Sequence, residues 1–235
     1  MHNIIFKSMT NKKGFFIVLD GIDGSGKATQ TALLLARLKK AGYKTGTIDF
    51  PQYYDNFFGK MTGQYLNGEF GETDPRLASV LYALDRWESK GRIVKDLEAG
   101  KVFVCDRYAS ANMIHQGGRI KNAKKRKEMM AWLETLEFEV CGIPKPDLVL
   151  FLDVLPDVGK RLVGRKDSRA YTKGKKRDIH EKDTKHLTNA RNQGLWLVKE
   201  RKNWTKIDCM DGKEVMKPEA VSELIWGEVR KRMKG

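Results

Sequence analysis

An α/β fold, with a five-stranded parallel sheet flanked by helices in three layers, is what this 235-residue sequence predicts. Three observations carry the prediction. Five short apolar runs fall at 15–20, 45–50, 101–106, 147–154 and 205–208, with helix-patterned stretches between them, and such alternation gives a parallel sheet covered on both faces. A glycine-rich segment, Gly21-Ile22-Asp23-Gly24-Ser25-Gly26-Lys27, stands between the first run and the first helix. With 40% hydrophobic and 32% charged residues, the chain has the composition of one globular domain, placed at 14–235 behind an N-terminal extension of residues 1–13.

Taken in order, the run at 15–20 is the strand that feeds the glycine-rich turn. The helix after it carries Leu33, Leu34, Ala36 and Leu38 and stops at Gly42. A turn of this kind lets successive backbone N–H groups converge without Cβ obstruction, and the helix start adds its positive end. Lys27 supplies a mobile charge for the β- and γ-phosphates of a nucleoside triphosphate, which makes the segment a P-loop. Gly21, Asp23, Gly24, Ser25, Gly26, Lys27, Ala28 and Thr29 are the expected triphosphate-binding residues. The position after Lys27, where a Ser or Thr hydroxyl usually meets Mg²⁺, is Ala28, and Thr29 is one residue too late to be taken as its equivalent.

The second strand ends at Phe50, and the rule that open α/β sheets bind ligands at the carboxyl ends of their strands puts 20–27, 50–53 and 106–108 on one rim. Asp74 followed by Pro75 starts a helix with Leu77, Leu81 and Leu84 expected on its core stripe. On that helix Tyr82 and Arg86 are four apart, so an aromatic plane and a guanidinium are neighbours that suit a base. From spacing alone the favoured reading is an aromatic packed under an Arg86 that pairs with Asp85 or Glu88. A helix at 124–140 repeats Met129, Leu133, Leu136 and Val140, and a C-terminal one repeats Val221, Ile225 and Val229. Both stripes read as core or dimer-contact faces.

No apolar stretch approaches the roughly 20 residues of a membrane span, and the first thirteen residues lack a cleavable apolar core, so a cytoplasmic protein is expected. Cys105, Cys141 and Cys209 fit no metal-ligand spacing and read as reduced packing residues. The net charge of +15 invites a nucleic-acid reading, but the excess gathers at 121–127 and 161–177 without interleaved aromatics. Basic residues beside a phosphate loop serve nucleotide phosphates more economically.

The P-loop, Phe50-Pro51, Leu84-Asp85-Arg86, Asp106-Arg107-Tyr108 and Asp178-Ile179-His180-Glu181 together resemble the motifs of thymidylate kinases, in the family's order, from about residue 15 to the C-terminus. The resemblance implies ATP and Mg²⁺ as co-substrate and cofactor, dTMP as acceptor, and a homodimer. It gives Arg107 the dTMP phosphate, against the alternative of a surface salt bridge. It sets Arg86 on the thymine carbonyl with Tyr82 framing the base, Phe50 stacking on it, and Tyr53 beside it on the same rim. Asn112 would read the thymine edge, and Gln116 resembles the glutamine of the segment that follows. His115 departs from the tyrosine usual there. Asp23 would lie near the acceptor sugar and metal, against plain loop capping, and Asp106 is a second metal candidate, through water. Residues 161–181 resemble a mobile lid. With Gly24 rather than an arginine in the P-loop, the arrangement looks like the bacterial type, in which lid arginines such as Arg165, Arg169 and Arg177 clamp the transferred phosphate, and Asp178 and Glu181 border the acceptor.

Catalysis is thus expected from Lys27, Arg107, Arg165 and Arg169. Kinases for other nucleoside monophosphates or for deoxynucleosides, a nucleotide-binding relative without turnover, and a basic nucleic-acid-binding protein remain the rival readings.

Overall fold

Alternation of buried side chains along three central strands divides the interior into two cores. The computed structural model describes residues 14–163 and 184–234. Strands β1 (Phe15–Asp20), β2 (Thr45–Asp49), β3 (Val102–Asp106), β4 (Leu148–Asp153) and β5 (Trp204–Asp208) form one parallel sheet in the order β2-β3-β1-β4-β5. Phe16 and Val18, Phe103 and Cys105, and Val149 and Phe151 point to one face. Ile17 and Leu19, Val102 and Val104, and Leu148, Leu150 and Leu152 point to the other. Two-sided burial is why these runs are continuously apolar instead of alternating with polar residues.

Helices α3 (Pro75–Glu98), α4 (Ala109–Gly118), α5 (Ala123–Glu134) and α7 (Thr184–Glu200) cover the first face. Helices α1 (Lys27–Lys40), α6 (Pro156–Val163) and α8 (Pro218–Lys234) cover the second, where Val221, Ile225 and Val229 of α8 are buried as the spacing predicts. Helix α2 (Phe57–Leu66) packs on α3, and β6 (Met210–Asp211) and β7 (Glu214–Val215) make a small hairpin after β5. A Cβ at Gly194 would lie 2.2 Å from the Phe151 ring, so the absence of a side chain there sets how closely α7 approaches the sheet.

Two helical expectations are corrected. Leu77 is 58% exposed; the buried stripe of α3 is Ala78, Leu81, Asp85, Arg86, Ile93 and Leu97. Leu77, Val80, Leu84 and Trp87 instead line an outward face of the same helix. The helix expected over 124–140 is α-helical only to Glu134 and then widens into a π-helix, Thr135–Val140, in which the Cys141 N–H reaches back to the Leu136 carbonyl. A wider turn advances each side chain by a smaller angle, so the α-helical stripe breaks: Val140 is 72% exposed and Glu137 turns completely inward.

Candidate active site

The carboxyl ends of β1, β2 and β3 open into a cavity of about 440 Å³. Its walls include Asp23, Gly24, Gly26, Lys27 and Ala28 at one end, Arg107, Asp106 and His115 in the middle, and Phe50, Tyr53, Tyr82, Arg86, Asn112 and Gln116 toward the other. These include most of the residues singled out from the sequence. Gly21, Ser25 and Thr29 are not in the wall: Gly21 and Ser25 are buried in the turn, and Thr29 is exposed on α1. Arg165, Arg169, Arg177, Asp178 and Glu181, with the rest of the expected lid beyond residue 163, lie outside the described residues, as does the extension of residues 1–13.

Gly24 has φ 81°, and a Cβ on it would lie 2.1 Å from the Gly159 carbonyl oxygen, so the loop is fixed both by a left-handed conformation and by close approach to α6. Gly26, with φ 86°, caps α1 through its backbone and no side chain, leaving that helix start for an anion. Lys27 Nζ donates to the Gly21 carbonyl at 3.0 Å, the Ile22 carbonyl at 2.8 Å and Ser25 Oγ at 3.3 Å. Burial, and secondarily the nearby Arg107 charge, push its ammonium down to about 8. At the base of the loop the Asp20 carboxylate accepts from the Gly21 N–H at 2.8 Å and from Ser110 Oγ at 2.6 Å. Burial raises the pKa of Asp20, and Asp106 is raised for the same reason.

Arg107 adopts φ 63°, unusual for a residue with a side chain. Its N–H donates to the Leu19 carbonyl at 3.0 Å, while the Asp106 carbonyl accepts from the Phe50 N–H at 3.0 Å. The β-ladder therefore runs past the strand ends and holds the kink that aims the guanidinium into the cavity. There it forms an ion pair with Asp23 and donates from Nη1 to His115 Nε2 at 3.2 Å. Burial works against the charge on Arg107, and the carboxylates of Asp23, Asp20 and Asp106 together more than offset it, so the guanidinium is held above its ordinary range. The salt bridge foreseen as an alternative for Arg107 is present, inside the cavity and not on the surface.

Arg86 is 2% exposed. Its partner is neither Asp85 nor Glu88, as the sequence suggested, but Glu137 of the π-helix, which receives Nε at 3.0 Å and also Nη2. Burial works against the charge on Arg86, and the charge and hydrogen bonding of Glu137 together with the charge of Asp85 more than offset it, so the guanidinium is held above its ordinary range. Asp85 turns instead to the Gln52 N–H at 3.1 Å and Asn56 Nδ2 at 2.9 Å, and Glu88 accepts from the backbone N–H groups of Phe57 and Phe58. Asn112 Nδ2 donates to Glu137 Oε1 at 2.8 Å and to the Ser79 carbonyl at 3.1 Å. Phe50 packs near Tyr108 with ring centroids 6.0 Å apart, Tyr82 stands edge-on to Tyr65, and Gln116 accepts from Arg119 at 2.9 Å. Glu137 was missed from the sequence; an acid at the fourth position after Leu133, in line with an otherwise apolar stripe, was the available signal.

Residues 19–219 match the family described as thymidylate kinase. The chain belongs to the thymidylate kinase family. It is 30% identical to a thymidylate kinase of Thermomicrobium roseum over 94% of this chain and 96% of that one. It is 32% identical to the human thymidylate kinase over 65% of this chain and 68% of the relative, and 30% identical to that of Mycobacterium tuberculosis over 71% and 78%. These matches establish membership of the thymidylate kinase family. That membership identifies the chain as a nucleoside monophosphate kinase.

Proposed function

We propose that this chain phosphorylates dTMP to dTDP with ATP as donor, the triphosphate on the P-loop and the acceptor between Arg107 and the Arg86–Glu137–Asn112 cluster. One observation carries the assignment of ends: a single cavity joins a phosphate-binding loop to a buried polar cluster, with an arginine midway. Its volume suits a nucleotide.

The cluster also supplies base specificity. Asn112 uses Nδ2 on Glu137 and Ser79, which leaves Oδ1 as an acceptor; Glu137 takes Nε and Nη2 of Arg86, which leaves Nη1 as a donor. Thymine offers a complementary N3–H and O4. Cytosine presents an acceptor at N3 and a donor at N4, the reverse at both positions, and a buried mismatch of that kind is strongly rejected. Phe50 and Tyr82 supply the apolar faces.

Transfer between phosphates needs no general base, because the acceptor's second pKa near ~6 leaves it dianionic at pH 7. What must be supplied is alignment of two mutually repelling anions and neutralisation of the oxygens in flight. Lys27 leaves its loop carbonyls for the β- and γ-phosphates. Arg107 exchanges Asp23 for the acceptor phosphate, a stronger hydrogen-bonding partner, and the lid arginines Arg165 and Arg169 complete the clamp. Mg²⁺ bound with ATP neutralises phosphate charge. The donor set fits such an ion: Asp106 brings a hard oxygen to the cavity wall, Asp23 brings another once Arg107 leaves it for the acceptor phosphate, and Ala28 brings none. Among the described residues no three acidic, His or Cys groups converge, which suits an ion that keeps several waters and binds mainly through phosphates.

Among the described residues no helix is long and apolar enough to cross a membrane, and the reading is of a cytoplasmic enzyme. A homodimer through the outward face of α3 completes it.

The test is ADP production from ATP and Mg²⁺ with dTMP, dUMP, UMP, CMP, dCMP, AMP and GMP as acceptors. dTMP is expected to be preferred and dCMP to be a poor acceptor. Lys27→Ala and Arg107→Ala are expected to lose about 10³-fold or more in turnover while remaining folded. A folded Arg107→Ala protein with near wild-type turnover excludes the role given to Arg107.

A further inference from the structure

Helix α4 is shared by two cavities. Ala111, Asn112, His115 and Gln116 border the one already described, while Ala109, Ser110 and Met113 border a second, of about 160 Å³, against β4 and β5. At 3.6 residues per turn these two sets fall on opposite sides of the helix, and the two cavities have no lining residue in common. The inner wall of the second is apolar: Ala109, Met113, Val149 and Trp204 are all buried, with Phe138 of the π-helix beside them. The Ser110 hydroxyl, the polar group on that wall, already donates to Asp20 at 2.6 Å. The outer wall carries charge, from Glu134 at the end of α5, Lys145 before β4 and Arg201 just beyond α7.

Two cations and one acid leave that wall with one positive charge. Glu134 is engaged by Arg201, whose Nη2 lies 2.8 Å from its carboxylate, and Lys145 Nζ stands 5.4 Å from the centre of the Phe138 ring. Arg201 Nε, in contrast, is buried and has no hydrogen-bond partner among the described residues. A buried donor on a cation costs free energy until an acceptor reaches it. We propose that this cavity is a second ligand site, for a single-ring aromatic monocarboxylate. The volume sets the size, since a cavity of about 150 Å³ is enough to hold benzene. Met113, Phe138 and Trp204 supply the surface for a ring. The Nε–H and the net positive charge set the head group, because a carboxylate oxygen is the acceptor that a guanidinium edge binds best. A nucleotide is too large for this cavity, so the site is separate from those of the kinase reaction.

The test is a titration of the full chain with benzoate at pH 7.5, with dTMP and ADP present in excess, read in ¹⁵N–¹H spectra on the indole N–H of Trp204. A saturable movement of that resonance is expected, with a Kd of about 1 mM or tighter. Benzamide, which keeps the ring and loses the charge, and acetate, which keeps the charge and loses the ring, are expected to bind at least about tenfold more weakly. Arg201→Met keeps the stem and removes the donor; it is expected to weaken benzoate about tenfold, to the level of benzamide. Benzoate is also expected to raise the Tm of the wild type, as a ligand of the folded chain does, and not that of Arg201→Met. Three results overturn the proposal, and the first two need no variant: benzoate and benzamide of equal affinity, no saturable movement of Trp204 while dTMP and ADP are present, and wild-type benzoate affinity in a folded Arg201→Met protein.

Discussion

At the scale of single residues, the P-loop lysine shows how function costs stability. Lys27 is charged in a place that resists charge: its ammonium titrates near 8 in the fold against 10.5 in a model peptide. Between those values the unfolded chain holds a proton that the folded one has released, so this group makes stability rise with pH from 8 toward 10.5, and its penalty is present in full below 8. Lys27→Met keeps the volume and removes the charge. It is expected to abolish turnover and to reduce the gain in unfolding free energy between pH 7.5 and 9.5, measured by urea denaturation at both values. Lys27 itself was evident from motif spacing. Asp20 and Ser110, which brace the loop from below, were not, because an acid closing a strand and a serine 90 positions away carry no pattern that joins them.

At the scale of elements, the π-helix is decisive for the acceptor end. A regular α-helix continuing from Glu134 would keep the stripe of Leu133 and Leu136 and bring Val140 toward the core; the wider turn exposes Val140 and buries Glu137 under Arg86. Breaking a buried ion pair from one side leaves an uncompensated charge. Glu137→Leu is therefore expected to cost about 3–5 kcal/mol in urea unfolding. The double change Arg86→Met with Glu137→Leu should recover most of that stability and still fail to bind dTMP, since the base-reading donor is gone. Sequence periodicity identified the helix, its start and its apolar positions, but one local change of pitch lies below what a hydrophobic pattern can register.

At the scale of the whole molecule, α3 has two apolar faces and the fold uses one. Ala83, Ile93 and Leu97 meet the sheet layer and Ala78 and Leu81 pack with Tyr65 and Leu66 of α2, while Leu77, 58% exposed, and Trp87, 47% exposed, share the outer face with Val80 and Leu84. Spacings of three, four and three residues keep these four in line, the pattern of a helix-to-helix seam. In the proposed homodimer this face meets its copy. Leu77→Glu with Trp87→Glu is expected to convert the sedimentation coefficient from that of a dimer to that of a monomer, and an unchanged monomer in both proteins would remove the proposal.

The sequence by itself determined the strand order of events along the chain: five apolar runs, each placed to within a residue of the observed strand, the phosphate loop between the first strand and first helix, and the rim where the site lies. These are local properties, set by side-chain period and by backbone freedom at glycine, and they survive without knowledge of neighbours. Tertiary structure alone decided which polar groups meet. Arg86 with Glu137, Arg107 with Asp23, and His115 with His186 join residues 51, 84 and 71 positions apart. An ion pair or a tautomer is fixed by distance and burial in space, and a linear pattern holds neither.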